Sequence, residues 1–269
     1  RAGAPNFVLI VMDTVRADRT SLHGSSRNTT PQLARWSRRG LLFEHARTTA
    51  PWTLPAHASL FTGRLPSELQ VSTKAPLAEK HLTLAEVLHD QGYLTAGFVA
   101  NMFFCNAWFG LDQGFLHYED FPDRNEISVA EVLRNAEIGK RLLDLTSRAT
   151  HIRPGKHAGR KSGAEINAAA LDWLDSQTAS QPDRPFFMFL NYMDAHDPYV
   201  LPAGAEHRFG AKAETAEDQA MIQGWHAIAH HRLDPRQVRL ASDAYDNCLS
   251  ALDQSIGELL ASLGPRLRD

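Results

Sequence analysis

The sequence predicts an α/β fold, a largely parallel sheet flanked by helices, and three observations carry that expectation. Residues 7–12, Phe7-Val8-Leu9-Ile10-Val11-Met12, are an unbroken apolar run rich in branched side chains that ends on Asp13. A strand buried on both faces reads this way, as in parallel sheets covered by helices on each side. A second run of strand length, Phe186 to Tyr192, also ends in a polar cluster, Asp194-Ala195-His196-Asp197. Between the two, strand-like and helix-like segments alternate, which is the rhythm of α/β proteins.

Composition bounds the rest. The 269 residues are 43% hydrophobic and carry a net charge of −3, enough chain to bury a large core in one or two domains. That balance shows no nucleic-acid footprint, so no nucleic-acid partner is expected. Two cysteines, Cys105 and Cys248, set no disulfide framework. No apolar run is long enough to span a membrane. The first residue is Arg1 rather than Met, so the lack of a targeting segment carries no weight. Oligomeric state is not set by these features.

Taken in order, Asp13 closes the first strand, at the end where open α/β sheets bind ligands. Such an aspartate either starts a helix or offers oxygen to a hard cation. Thr30-Pro31 opens a helix containing Leu33 and Trp36, which Gly40 stops. Leu41 to Phe43 can begin a second strand. The stretch Pro51-Trp52-Thr53-Leu54-Pro55-Ala56-His57 then leads to Gly63-Arg64. Pro55 suits the first turn of a short helix and Gly63 the position just past its end. Thr53 is thereby placed just before the helix, near its positive dipole end. Its hydroxyl either caps the helix or serves a phosphate or sulfate group as anchor or nucleophile.

A further helix starts at Thr83, runs through Leu84, Ala85, Val87 and Leu88, and stops at Gly92. Leu94 to Ala100 reads as another strand. Met102, Phe103, Phe104, Trp108, Phe109, Phe115 and Tyr118 form an aromatic-rich patch, read as core packing ahead of a substrate wall. Residues 126–145 fit an amphipathic helix. Arg148, Arg153, Lys156, Arg160 and Lys161 occur without an acid among them, as in a solvated loop. Ile166 to Leu174 is helical, and 201–235 is an excursion. There His226 and His230 share a helix face with His231 adjacent, but no carboxylate or cysteine completes a zinc set. Tyr245, Leu249, Leu252, Ile256, Leu259 and Leu263 recur at helical steps and end at Gly264-Pro265.

Thr53-x-Pro55-x-His57 followed by Ala58-Ser59-Leu60-Phe61-Thr62-Gly63-Arg64 resembles the signature of the sulfatases, in the alkaline-phosphatase superfamily. The usual form there is Cys- or Ser-x-Pro-x-Arg and then a small-apolar run ending in Thr-Gly-Arg. The strand ending on Asp13, the Thr30-Pro31 helix and Gly40-Leu41-Leu42-Phe43 fit the family's opening elements. The resemblance implies a mixed, largely parallel sheet of the alkaline-phosphatase/sulfatase kind. It also implies one catalytic domain over 1–269, with insertions near 101–165 and 201–235. The activity implied is hydrolysis of a phosphate or sulfate ester of a small molecule, glycan or lipid. Asp13 and Thr53 inherit roles as ligands of a divalent metal ion (Ca, Mg, Mn or Zn), and Thr53 that of nucleophile. His57 stands where the family has arginine, and is expected as a catalytic residue that steadies the Thr53 oxygen or a ligand carboxylate. His196, in its His-x-Pro-Tyr loop, inherits contact with the transferred group and the leaving oxygen. An extracytoplasmic site, periplasmic or secreted, is slightly favoured.

Three departures shape the expectation. Threonine cannot yield formylglycine, so that modification is not expected. Asp13-Thr14 replaces a consecutive acidic pair, which removes one metal ligand. The Gly-Lys-x-His-x-Gly element is absent, and Val99-Ala100-Asn101-Met102-Phe103 holds its approximate place, which removes a sulfate-binding lysine; Asn101 there and His196 are the residues expected to bind substrate. Superfamily members with threonine nucleophiles, phosphodiesterases and phosphoethanolamine transferases, are therefore the nearer chemical models. The reading favoured is a metal-dependent ester hydrolase acting through Thr53. A transferase of a phospho-headgroup comes second, and a non-catalytic binding module of the same fold is the reading from another class. The family's next core strand, with an Asp-His or Asp-Asn pair, is expected beyond Asp269. The fold is thus expected to be incomplete at the C-terminus, and this chain alone to bind metal weakly and turn over poorly.

Overall fold

In a computed structural model of the chain, the structure describes residues 4–120, 160–225, 228 and 233–264. The chain divides into two units, 1–120 with 161–269, and 121–160. The expected helix over 126–145, the cations Arg148, Arg153 and Lys156, and His226, His230 and His231 lie outside the described residues.

The first unit is built on four strands: β1 (Phe7–Met12), β2 (Leu94–Val99), β3 (His117–Glu119) and β4 (Phe186–Tyr192). They stand in the order β1-β4-β2-β3 and every pairing among them is parallel. Parallel strands put their carboxyl ends on one side, and loops leaving that side can meet. Asn191 of β4 lies in register between Val11 of β1 and Val99 of β2.

Alternation along β4 sorts two cores. Met188, Leu190 and Tyr192 face helices α5 (Gly163–Ser180) and α7 (Pro235–Leu263), among Ile166, Leu174, Leu249, Leu252, Ile256 and Leu259. Phe187 and Phe189 face α2 (Thr53–Thr62), α3 (Pro66–Leu69) and α4 (Leu84–Asp90), among Leu54, Ala58, Phe61, Leu69 and Ala85. Helices therefore cover both faces of the sheet, as the unbroken apolar runs require.

The helix starts follow local chemistry. Thr83 caps α4, Ser162 caps α5 and Asp234 caps α7, each with a Glu or Gln three residues on that returns the bond. α6 (Ala216–Gln223) is capped by Thr215. Helix α1 (Pro31–Ser37) has no cap from its own Thr30. Asp253 of α7 supplies it, accepting from the N–H groups of Gln32 at 2.8 Å and Leu33 at 2.9 Å. Gly63 closes α2 at φ 69°. Gly114, at φ 84°, lets its loop approach the start of α4, where a Cβ would stand 2.1 Å from the Glu86 nitrogen.

Several expectations are corrected. β1 is half-buried rather than buried on both faces, because it pairs only with β4 and its other edge is open among the described residues. Leu41 to Phe43 form no strand and are exposed, Leu41 at 88%, since no described strand lies beside them to take up their backbone groups. Lys161 is not in a solvated loop: it is buried and paired with Glu119, the last residue of β3. The aromatic patch divides. Phe109, Phe115 and Tyr118 pack against the α2 side of the sheet, whereas Phe103 and Trp108 are exposed.

Candidate active site

Thr53 is the first residue of α2, and Trp52 holds the capping position without a side-chain bond. The threonine hydroxyl therefore does not cap its helix, and that reading falls. Its partner is instead the side-chain amide of Asn101, which donates to Thr53 Oγ1 at 3.2 Å. The same nitrogen donates to Asp13 Oδ2 at 2.8 Å. Asp13 Oδ1 accepts from the amide of Asn191 at 3.1 Å. Asn191 in turn meets His57 Nε2 at 3.5 Å, and His57 Nδ1 lies 2.8 Å from the Thr53 carbonyl oxygen. Five side chains from the ends of three strands and one helix thus close a polar ring.

The orientation of each group follows from its neighbours. Asn191 Oδ1 accepts from the Asn101 N–H at 2.9 Å, and Asn101 Oδ1 from the Phe104 N–H at 3.2 Å. Backbone donors so fix both amide oxygens, and both NH₂ groups turn toward Asp13. His57 must carry its proton on Nδ1 to serve the Thr53 carbonyl, which leaves Nε2 as the acceptor toward Asn191. The His57 ring lies edge-on to Phe61 and Phe189 and is almost wholly buried. It packs on an apolar floor and bonds the backbone of Thr53, not its hydroxyl.

The turn after Asp13 is held in a conformation that β-branched residues rarely adopt. Thr14 has φ 60°. Its hydroxyl donates to the Asp13 carbonyl at 2.7 Å and the Ala195 carbonyl at 3.1 Å. Tyr245 of α7 accepts from the Arg16 N–H at 2.9 Å and donates to the Thr14 carbonyl at 3.1 Å. These bonds tie the end of β1 to the loop after β4, where His196 stands. His196 is half-buried, with Nδ1 2.8 Å from the Asp197 carbonyl oxygen and 2.9 Å from its carboxylate. Burial alone would lower its pKa, but Asp197, with a smaller contribution from Asp13, holds it above the ordinary value. Asp194 is engaged at the start of α5, accepting from the Gly163 N–H at 2.9 Å.

The structure thus brings Asp13, Thr53, His57 and Asn101 together, and sets His196 on the adjoining loop within electrostatic reach of Asp13. Asn191 was not foreseen. Its signal in the sequence is slight: a lone amide near the carboxyl end of an otherwise apolar run. Among the described residues no three of His, Cys, Asp and Glu gather to hold a metal ion. Asp13 is the ring's one carboxylate, both its oxygens already accept amide hydrogens, and the amide oxygens face elsewhere. Calcium takes roughly six to eight oxygens and magnesium a near-ideal octahedron, so this donor set does not by itself fit either ion.

A parallel sheet covered on both faces, with a hydroxyl at a helix start beside a strand-end aspartate, is the class of α/β fold seen here, and its solved structural neighbours are alkaline-phosphatase- and sulfatase-like folds. A family model for sulfatases matches residues 5–269, and the chain belongs to the sulfatase family. The chain is 23% identical over 281 residues to an uncharacterized sulfatase, YidJ, of Escherichia coli (strain K12), covering 98% of this chain and 55% of that protein. It is 25% identical over 308 residues to the multifunctional alkaline phosphatase superfamily protein PehA of Trinickia caryophylli, covering 96% and 59%. The phosphonate monoester hydrolase of Agrobacterium radiobacter has the same fold at a TM-score of 0.65 and 20% identity, covering 98% of this chain and 60% of that one. So does the soluble domain of lipooligosaccharide phosphoethanolamine transferase A from Neisseria meningitidis, at a TM-score of 0.61 and 18% identity, covering 98% and 64%. The chain spans little more than half the length of these two curated relatives. No described helix is long and apolar enough to cross a membrane.

Proposed function

We propose that this chain carries the nucleophile and leaving-group side of a phosphate- or sulfate-ester hydrolase, with Thr53 as the residue that takes the transferred group. The observation that supports this most directly is the Thr53 hydroxyl itself. It is released from capping and held by the amide that also holds Asp13. It stands at the positive end of α2, where a phosphoryl or sulfuryl group is favoured.

In this reading Thr53 Oγ gives up its proton to solvent and bonds to phosphorus or sulfur as the bond to the leaving oxygen breaks, and water then cleaves the adduct and restores the hydroxyl. Asn101 orients the hydroxyl through the N–H that it donates to Thr53 Oγ1. His196, whose pKa the neighbouring Asp197 raises, gives a proton to the leaving oxygen. His57 positions Thr53 through its backbone carbonyl and Asp13 through Asn191. Asp13 and Thr53 remain the two oxygen donors proposed for a divalent ion, whose other ligands would come from outside the described residues. An extracytoplasmic location belongs to the same proposal and follows from family likeness alone.

The test is direct. Incubation of the native protein with 4-nitrophenyl phosphate, 4-nitrophenyl sulfate and a 4-nitrophenyl phosphonate ester should leave a transient adduct on Thr53, read by peptide mass spectrometry. Thr53→Ala should abolish both adduct and turnover with the fold intact. Unchanged turnover in that variant removes Thr53 from the mechanism. Turnover that requires an added alcohol acceptor turns the reading to the transferase. Neither adduct nor turnover in the native protein leaves the binding module.

A further inference from the structure

A cleft beside the open edge of β1 gathers positive charge. Arg47, Thr49, His57, Ser59 and Arg64 line it next to Val11, and its volume is about 400 Å³. Arg47 comes from the loop before α2, and Arg64 follows the glycine that closes α2. Neither guanidinium has a carboxylate partner among the described residues, and no Asp or Glu lines the cleft. Asp13, which meets His57 only through Asn191, does not line it either.

Ser59 is an independent observation. It is 6% exposed, and its hydroxyl has no hydrogen-bond partner among the described residues. Other hydroxyls on these helices bond back to a carbonyl one turn earlier, Ser37 to Ala34 and Thr62 to Ala58. Ser59 makes no such bond. Buried hydroxyls are nearly always paired, so one that lines a cleft without a partner marks where a ligand atom fits.

The chemistry is that of an oxyanion site. Guanidinium groups present forked N–H donors that match phosphate and sulfate oxygens, and the Ser59 and Thr49 hydroxyls can donate as well. A tetrahedral anion offers acceptors in several directions, which suits donors from α2 and from the chain on both sides of it. A carboxylate holds its two oxygens in one plane. The carboxyl end of α2 opposes an anion with about half a negative charge, and two full positive charges outweigh it. We propose that this cleft is a separate anion site, which takes a phosphate or sulfate group on Arg47, Arg64 and Ser59. It stands whether or not Thr53 acts as a nucleophile.

Titration calorimetry of the full chain with inorganic phosphate, sulfate and acetate tests it. Phosphate and sulfate should bind more tightly than acetate. Arg47→Gln and Arg64→Gln should each weaken sulfate about tenfold, as loss of a hydrogen bond to a charged group implies, and Ser59→Ala about threefold. Thr53→Ala and Lys74→Gln alter side chains that do not line the cleft and should leave this binding unchanged. Circular dichroism and the melting temperature check that the variants fold. Absence of phosphate and sulfate binding in the native chain overturns the site. Binding that survives both arginine variants but is lost in Thr53→Ala moves the anion to Thr53 and overturns the cleft. Equal weakening by Lys74→Gln reduces the effect to net charge and does the same. Acetate bound as tightly as sulfate overturns the tetrahedral ligand.

Discussion

Asn191 of β4 donates a hydrogen bond to the Asp13 carboxylate of β1 at 3.1 Å, so the strand-end aspartate is fixed by its neighbouring strand. Both residues are buried. Replacing Asn191 with Leu removes a donor from a buried carboxylate and an acceptor from the Asn101 N–H. Leaving buried polar groups unpaired costs about 1–3 kcal/mol each. Asn191→Leu is expected to lower stability by at least that much, read as a fall in the urea midpoint. A midpoint unchanged within error would mean that water takes over both bonds.

Metal affinity should follow the number of carboxylates in the ring. The native chain, with Asp13 alone, is expected to show only weak binding of Ca²⁺ or Mg²⁺ by calorimetry, and little rise in melting temperature. Asn191→Asp places a second carboxylate against the first. That variant should melt lower than the native chain with chelator present and recover on adding the ion, because a divalent cation relieves the repulsion. Tight, saturable binding by the native chain in the same assay would mean that the amides rotate to offer their oxygens.

His196 should titrate above the ordinary histidine value, because its bonds to Asp197 outweigh the effect of burial. A raised folded-state pKa stabilises the fold fully below the unfolded value of about 6.5, and that contribution is lost as pH rises through the folded value. Asp197→Asn removes the leading upward influence and leaves burial to lower the pKa. The His196 ring proton resonance, followed against pH by NMR, should shift its midpoint downward in Asp197→Asn and, to a smaller extent, in Asp13→Asn. An unmoved midpoint in both variants would dissociate His196 from the two carboxylates.

Asp253 is expected to matter to the fold and not to chemistry. It caps α1 from α7, across more than two hundred residues of sequence, through two backbone N–H groups. Burial raises its pKa while those two bonds pull it down. Loss of an N-cap costs about 0.5–2 kcal/mol. Asp253→Ala should lower the denaturation midpoint accordingly while leaving any adduct on Thr53 unchanged. A loss of adduct at unchanged stability would contradict the separation of α1 from the site.

The sequence by itself determined the layers of this protein. Apolar runs at 7–12 and 186–192 read as strands, the 3.6-residue repeat from Tyr245 to Leu263 as a helix packed by its apolar face, and the Thr53–Arg64 stretch as a short helix with a proline in its first turn and a glycine stop. These are local facts, fixed by steric and solvation preferences within a few residues. Tertiary structure decided what local pattern does not carry. The order β1-β4-β2-β3 brought Asn191 between Val11 and Val99, and so beside Asp13 and His57. It placed Asn101 between Asp13 and Thr53, and turned its oxygen away by a backbone bond to Phe104. It made a half-buried edge of β1, left Leu41 to Phe43 without a partner, and buried Lys161 on Glu119. The reason is common to all of them. A hydrogen bond or an ion pair is satisfied by whatever group the fold brings near, and residues far apart in sequence leave no periodic mark of that meeting.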